Sequence, residues 1–209
     1  QVVKFLLHIS NYICYNNFIH IRSLAAGCDL SFGAKGAGNA ALLKKMAPEL
    51  AFEVETIEKV YLRGYEVSST WLRKCVEHGD MEAAKELLGM PYAVRGNVVH
   101  GNQIGRTLGF PTINIWPDES KLLPPCGVYF SKVLLDGVSY PAISNVGYKP
   151  TVAAEKKLGV ETYLYNFDRM IYGEEVEVCL CRYYREEECF EGLDALKEQL
   201  ETDILEGKE

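Results

Sequence analysis

The sequence predicts an α+β protein in which an α/β segment precedes an antiparallel β-barrel or sandwich that ends in a helix. Three observations support this class. Helix-type and strand-type patterns are mixed up to about residue 90. Six runs rich in β-branched and aromatic residues then follow one another, separated by Gly, Pro and Asp. In the final run, Leu196, Leu200 and Ile204 repeat every four residues, which gives a helix one apolar stripe, and Asp194 is its expected N-cap.

The first part of the chain carries the signals of a small α/β segment. The predicted elements are, in order, a glycine-rich loop, a helix ended by Pro48, a strand and two helices, over residues 29–39, 40–47, 52–60, 68–79 and 80–89. Ser69 and Thr70 are cap-type residues for the first helix of the final pair, and Asp80 is the expected cap of the second. Gly79 and Gly89 are expected to end these two helices.

The second part of the chain reads as six strands followed by the helix. The strand runs cover residues 92–101, 112–116, 127–137, 138–147, 160–167 and 174–184. Asp136-Gly137, between the third and fourth runs, is a strong signal for a two-residue hairpin. Because no linker-type composition separates the two parts, the predicted domains are 1–90 and 91–209, with a short boundary between them.

The composition argues against two classes of partner. The formal net charge is −7 and the isoelectric point is about 5.3, whereas nucleic-acid binders usually carry a basic surface. Any phosphate site must therefore be local, built from backbone amides, a cation and an Arg or Lys. The apolar N-terminal stretch is interrupted by polar residues and falls short of the roughly 20 residues that span a bilayer. We therefore predict a protein without nucleic-acid or membrane partners.

The cysteines indicate a reducing compartment. Seven cysteines, an odd number without a regular framework, suit reduced cytoplasmic thiols better than a secreted disulfide scaffold. Cys179 and Cys181 form a C-x-C pair, but no second pair lies at the spacing of a zinc site. We predict a cytoplasmic location, with packed strand thiols at these two positions.

The stretch GRTLGFPTIN, residues 105–114, combines glycines, one cation and two polar residues at the start of a strand. Glycines let a backbone approach a ligand closely, and Arg106 supplies a fixed positive charge. Thr112 and Asn114 point to the same face if they begin a strand, whereas Ile113 points the other way, into the core. The pair could hold a metal–phosphate group, or it could be an ordinary polar start of a strand.

Four stretches resemble, in the right order, the riboflavin kinase module of the bacterial bifunctional riboflavin kinase/FAD synthetase family. They are VVHGNQIGRTLGFPTIN, SNVGYKPT, VETYLYNFDRMIYG and YYREEECF, the last followed by the helix. Residues 27–90 resemble the later part of that family's FAD synthetase module, through DLSFGAKGAGN and VSSTWLR. The resemblance implies a six-stranded Greek-key barrel with a C-terminal helix, preceded by a partial nucleotidyltransferase-like segment.

The resemblance also implies an ATP:riboflavin 5′-phosphotransferase that works with Mg²⁺ and yields FMN and ADP. It assigns a metal and phosphate role to Thr112 and Asn114, whose oxygens are of the kind that Mg²⁺ prefers. The implied ATP site further includes a glycine-rich flap and a strand end. Its other members are Gly101, Gly105, Arg106, Gly109, Pro111, Asn145 and Gly147.

The general base falls on Glu187 when Arg185 and Phe190 are aligned with the family's R-x-E-x-x-F ending. For Glu186 and Glu188, and for any single acid of this run, a solvated face is the alternative. The flat flavin ring is expected to bind by stacking and burial near the last helix. The residues expected to border the flavin are Arg185, Phe190 and Leu196.

Two alternatives stay open. A flavin-binding module without chemistry would keep the apolar site but lack the base or the metal pair, and the presence of Thr112, Asn114 and Glu187 together speaks against it. A chain with an incomplete first module would misfold and expose its core. Since the family's G-x-F-D-G-x-H-x-G-H signature occurs nowhere in the sequence, we expect FMN synthesis without FAD synthesis.

Overall fold

The structure is a computed structural model that describes residues 22–49, 51–101, 104–150 and 156–207. These residues form two compact units, one that ends at Val67 and one that begins at Ser68. The expectations for the N-terminal stretch fall outside the described residues. Within the described ranges, no helix is both long enough and apolar enough to cross a membrane.

The first unit is built on a pair of parallel strands, as the α/β interpretation requires. β1 (Ser23–Gly27) pairs with β4 (Glu53–Ile57), and helix α1 (Ala40–Met46) lies between them in sequence. Asn39 caps α1, because its side chain accepts a hydrogen bond of 2.9 Å from the Leu42 amide. The apolar core of this unit is a small cluster of Ala26, Phe32 and Leu43.

The predicted glycine-rich loop contains a short hairpin. β2 (Ser31–Phe32) pairs with β3 (Gly38–Asn39), and a 3-10 turn over Ala34–Gly36 connects them. The ring of Phe32 lies so close to the Cα of Gly38 that a Cβ there would overlap it. The glycine therefore allows the hairpin to close, which the sequence pattern alone does not predict. The strands of a second hairpin are β5 (Tyr61–Leu62) and β6 (Tyr65–Glu66).

The second unit is a closed barrel of six strands with helices around it. The strands are β7 (Tyr92–Val99), β8 (Thr112–Ile115), β9 (Gly127–Leu135), β10 (Val138–Pro150), β11 (Lys156–Leu164) and β12 (Glu175–Arg185). The helices are α2 (Ser69–Glu77), α3 (Met81–Leu88), α4 (Ile104–Thr107) and α5 (Leu193–Glu206). Around the barrel the order is β10-β11-β8-β7-β12-β9, so two connections skip neighbouring strands. The predicted Greek-key barrel is confirmed, and the sandwich alternative is wrong.

Several turns and caps agree with the sequence analysis. Asp136 and Gly137 have φ angles of 51° and 78°, the left-handed pair that a tight turn between β9 and β10 requires. Asp80 caps α3, and Gly89 follows that helix with φ 71°. These ends are local, so short-range sequence signals are enough to predict them.

Two predicted caps are displaced. The cap of α2 is Ser68 rather than Ser69 or Thr70, and its hydroxyl accepts a backbone hydrogen bond of 3.2 Å. α5 begins at the residue after Gly192, so Asp194 lies in the first turn instead of at the N-cap. A carboxylate in the first turn still interacts favourably with the positive end of the helix dipole. Helix α2 thus uses the predicted capping chemistry one residue earlier, whereas α5 begins after a glycine that makes no side-chain capping bond.

Alternate residues of each strand point into the barrel and are buried. The fully buried apolar positions include Val94, Ile115, Tyr129, Val133, Val146, Val160, Val176, Val178 and Leu180. Three hydroxyls also point inward, and each has a partner there. Ser131 Oγ lies 2.7 Å from Ser144 Oγ, which lies 2.8 Å from Thr162 Oγ1. This chain of hydroxyls identifies the inner face of β9, β10 and β11, so the residues between them point outward.

The helices α2 and α3 share the core of the barrel, although the sequence analysis grouped them with the first segment. Cys75, Val76, Met81 and Ala84 are buried in the same apolar cluster as the barrel residues. The composition change near residue 90 thus marks the end of helices and the start of strands, while the compact units divide at Val67. The predicted boundary between the two family modules stays a prediction.

Helix α5 is held on the outside of the barrel by its C-terminal half. Tyr165 Oη donates a hydrogen bond of 3.0 Å to the carbonyl of Ile204. The Ile204 side chain is buried, whereas Leu196 and Leu200, earlier in the stripe, are half-buried. Burial raises the pKa of Tyr165 to about 12, so this phenol stays a hydrogen-bond donor over the ordinary pH range.

Candidate functional site

Three polar side chains lie side by side on the outer face of the barrel. Asn114 on β8 is the direct partner of Glu161 on β11, and Glu161 is the direct partner of Asn145 on β10. Directly opposite residues of neighbouring strands project to the same face, here the face away from the buried hydroxyls. We call Asn114, Glu161 and Asn145 the polar row.

Thr112 lies beside the polar row. Its Oγ1 donates a hydrogen bond of 2.7 Å to Glu161 Oε1. Ile113, between Thr112 and Asn114, is buried in the barrel, so the strand start has the alternation expected from the sequence. The arrangement brings a hydroxyl, an amide and a carboxylate together on two neighbouring strands, β8 and β11.

Gly101 and Gly105, which flank the start of helix α4, lie against this part of the barrel. A Cβ at Gly101 would come within 2.5 Å of Asn114 Nδ2, and a Cβ at Gly105 would overlap the carbonyl oxygen of Phe110. Glycine is therefore required at position 105, where the overlap is with backbone, whereas a side chain at position 101 would force the Asn114 amide to move. Gly109 has φ 90°, a left-handed conformation that favours glycine. The remaining predicted flap residues, Arg106 and Pro111, are exposed.

Glu187 lies next to the polar row but outside it. Its carboxylate lies against the Cα of Gly147, where a Cβ would overlap it. Gly147 is the direct partner of Gly159, two residues along the strands from Asn145 and Glu161. Glu187 is exposed and follows the end of β12. Of these two carboxylates, Glu161 is therefore the one in direct contact with Thr112.

Arg185 forms an ion pair with helix α5. Its Nε and Nη2 donate to the two carboxylate oxygens of Asp203 at 2.9 and 2.6 Å, and Gln199 Nε2 donates to the same carboxylate at 2.8 Å. The Asp203 side chain is 3% exposed, and the hydrogen bonds to it raise the pKa of the Arg185 guanidinium. Arg185 therefore ties the end of β12 to helix α5.

An aromatic cluster borders the polar row on the Thr112 side. Its members are Val128, Ile143, Tyr165 and Ile204, with Phe110, Phe130, Tyr163 and Tyr184 packed against them. Tyr163 is the direct partner of Thr112, and the rings of Phe110 and Tyr163 meet edge to face at 6.0 Å. Phe190 and Leu196, the two predicted apolar flavin neighbours, are half-buried and lie outside this cluster.

Glu161 and the aromatic cluster are features that the sequence analysis missed. Glu161 lies in the stretch VETYLYNFDRMIYG, but its contact with Thr112 depends on strand pairing across 49 residues of sequence. Alternation along β11 places Glu161 and Tyr163 on one face, yet only the register brings that face to Thr112 and Asn114.

The donors available for a metal are oxygens. Within the described ranges, no three His, Cys, Asp or Glu side chains are grouped so that they could hold a metal ion. Cys179 and Cys181 are half-buried on β12, and burial raises the pKa of Cys179 to about 11. Such protonated thiols agree with the predicted packed strand thiols.

The closed barrel, its docked C-terminal helix and the polar row beneath a glycine loop define a flavokinase-type barrel. A family model described as riboflavin kinase matches residues 88–209, and a second, described as FAD synthetase, matches residues 7–71. The chain belongs to the riboflavin kinase family.

Relatives named bifunctional riboflavin kinase/FMN adenylyltransferase agree with this assignment. The chain is 39% identical to the protein from Listeria monocytogenes over 88% of its own length and 59% of the relative. It is 38% identical to the Haemophilus influenzae protein, over 92% of the chain and 62% of the relative. The Escherichia coli K12 protein is 36% identical, over 91% and 61%. The chain thus spans about 60% of the length of these relatives.

A solved structure shares the architecture. It is described as a macrolide-efflux protein from Streptococcus pneumoniae and aligns with a TM-score of 0.74 and 32% identity. The alignment covers 87% of this chain and 58% of that one. That description belongs to the Streptococcus protein.

Proposed function

We propose that this chain transfers the γ-phosphoryl group of ATP to the 5′-hydroxyl of riboflavin, giving FMN and ADP. The hydrogen bond between Thr112 and Glu161 carries this proposal, because it joins a candidate metal ligand to a candidate base on one face. Phosphoryl transfer depends mainly on positioning and charge stabilisation, and a rigid barrel face with a close glycine loop suits both.

Thr112 and Asn114 fit Mg²⁺ through the chemistry of their oxygens. Because the Thr112 hydroxyl donates its hydrogen bond to Glu161, its lone pairs are left for a cation. Mg²⁺ is usually held by few protein oxygens together with substrate phosphates and water, and it would supply charge neutralisation on those phosphates. The glycine loop would let backbone amides approach the same phosphates.

We assign the general base to Glu161 on geometric grounds. A base must lie within hydrogen-bond reach of the attacking hydroxyl, which itself must approach the phosphate held near Thr112 and Asn114. Glu161 is hydrogen-bonded to Thr112 and lies directly opposite Asn114. Glu187 instead contacts Gly147, which lies two residues along β10 from Asn145 of the polar row. The alignment of the family ending favours Glu187, so the two carboxylates are competing candidates that mutation can separate.

Riboflavin is expected to place its ring system on apolar surface and its ribityl chain toward the polar row. The aromatic cluster borders Thr112, and Phe190 and Leu196 are half-buried on the segments that follow β12. Burial and stacking of a flat aromatic ring favour such a surface.

The deciding experiment incubates the protein with riboflavin, ATP and Mg²⁺ and follows FMN and FAD by chromatography. FMN formation that requires ATP and the metal is the expected result. Riboflavin binding without FMN formation would instead support a flavin-binding module that does no chemistry. The same chromatogram checks the sequence-based expectation that FAD does not form.

Replacing Thr112 or Asn114 with Ala is expected to weaken metal-dependent ATP binding by about 10–100-fold, the range typical for loss of a group that supports a metal site. Titrations of ATP with and without Mg²⁺ measure the effect. Thr202→Ala is the matched control, since the Thr202 hydroxyl is exposed and donates its hydrogen bond within helix α5. Parent-like binding of Mg·ATP by both site variants would contradict the assignment.

A further inference from the structure

Asn145 carries an unusual buried atom. Among the residues that the structure describes, its Oδ1 is the buried side-chain oxygen or nitrogen that has no hydrogen-bond partner. Buried polar groups are nearly always paired, because a buried acceptor without a donor has lost its hydrogen bonds to water and gained none in the protein. An oxygen of this kind next to a candidate active site is therefore expected to meet a donor on a bound molecule.

The position of Asn145 indicates which molecule supplies the donor. Asn145 and Asn114 are at opposite ends of the polar row, with Glu161 on the strand between them. Neighbouring strands are about 4.8 Å apart, so the row separates the two amides by about 10 Å of backbone. Gly101 and Gly105 of the flap lie against Asn114 and beside Thr112, at the far end from Asn145.

The chemistry of an amide oxygen further limits which group of a substrate can pair with Asn145. In hydrogen bonding this oxygen only accepts, and the oxygens of ATP phosphates are acceptors as well, so the two do not pair. A cation is the other partner that an amide oxygen takes, but the candidate cation ligand Asn114 lies at the opposite end of the polar row. In-line transfer places the attacking and leaving oxygens on opposite sides of phosphorus. With the phosphates beneath the flap and Glu161 as the base, the acceptor alcohol approaches from the Asn145 end.

We propose that Asn145 accepts a hydrogen bond from a secondary hydroxyl of the ribityl chain and so selects and orients the acceptor alcohol. The sequence resemblance had grouped this residue with the ATP site. The new assignment rests on the proposed riboflavin kinase activity. It makes Asn145 a residue that determines acceptor specificity.

The test compares riboflavin with 2′-, 3′- and 4′-deoxyriboflavin in the parent protein and in Asn145→Leu. One deoxy analogue is expected to lose about 5–100-fold in kcat/KM with the parent, the fold-change that corresponds to an unmet buried acceptor. In Asn145→Leu, removal of the same ribityl hydroxyl is expected to lower kcat/KM by less than about twofold, because the hydrogen bond between that hydroxyl and residue 145 is already absent. The KM for ATP is expected to stay at the parent value.

Asn97→Leu is the matched control, since Asn97 is exposed on β7 and should leave the analogue preferences unchanged. A raised KM for ATP with unchanged analogue losses would assign Asn145 to the nucleotide and overturn the proposal. If Asn145→Leu does not fold, Asn145→Ser replaces it in the same comparison. The analogue series in the parent protein is a further test, because equal kcat/KM values for riboflavin and all three deoxy analogues would also overturn the proposal. A parent that binds riboflavin but makes no FMN refutes the activity, and equilibrium titration of the same analogues then decides the role of Asn145.

Discussion

Glu161→Gln is expected to lower FMN formation by about 10²–10⁴-fold, the usual contribution of a general base. Gln has the same shape and its oxygen still accepts the hydrogen bond from Thr112, so the site keeps its geometry and loses only the proton acceptor. Steady-state rates with riboflavin and ATP measure the loss. Fluorescence titration should show that riboflavin still binds.

Glu187→Gln provides the decisive comparison for this prediction. If Glu161 is the base, Glu187→Gln retains most of the turnover, and Glu188→Gln, in the same exposed run, serves as the control. The reverse result, an inactive Glu187→Gln beside an active Glu161→Gln, would restore the base assigned by the family ending. Both outcomes are informative, since the two carboxylates contact different residues of the same face.

Arg185→Met is expected to reduce the free energy of unfolding of the barrel unit by about 3–5 kcal/mol, the range for removing one partner of a buried ion pair. The substitution leaves the Asp203 carboxylate, 3% exposed, with Gln199 as its remaining described partner. Urea unfolding followed by tryptophan fluorescence measures the effect. Both tryptophans, Trp71 and Trp116, lie in this unit, so they report on it directly.

A second substitution tests the reason for that loss. In Arg185→Met/Asp203→Leu the unpaired carboxylate is gone, so much of the lost stability should return. Lys197→Met is the control, because Lys197 and Glu201 form an exposed pair of 3.9 Å on the same helix, and exposed pairs contribute about 0–1 kcal/mol. If Arg185→Met unfolds like the parent but binds riboflavin poorly, Arg185 is a flavin ligand, as the resemblance predicted.

Local patterns were enough to predict the elements of the barrel unit. The six strand runs, the turn at Asp136-Gly137 and the stripe of the last helix all depend on residues a few positions apart. The face shared by Thr112 and Asn114 follows from the same alternation. Helix starts were less certain, because several neighbouring residues of α2 could serve as the cap.

Contacts between distant segments could not be predicted in this way. Packing, rather than composition, places α2 and α3 with the barrel, since their buried residues belong to the same apolar cluster as those of the strands. Arg185 carried a family-based expectation of flavin contact, whereas the structure pairs it with Asp203 on α5. That pairing depends on where a helix docks, which short-range patterns do not encode.

The sequence by itself determined the family, the strand content and the presence of a hydroxyl, an amide and a carboxylate in separate motifs. Only the tertiary structure decided which carboxylate meets the hydroxyl. A strand's own alternation fixes which residues share a face, but the register with its neighbours fixes what that face touches. The pairing of β11 with β8 and β10 puts Glu161 between Asn114 and Asn145, and it leaves Glu187 one row away against Gly147.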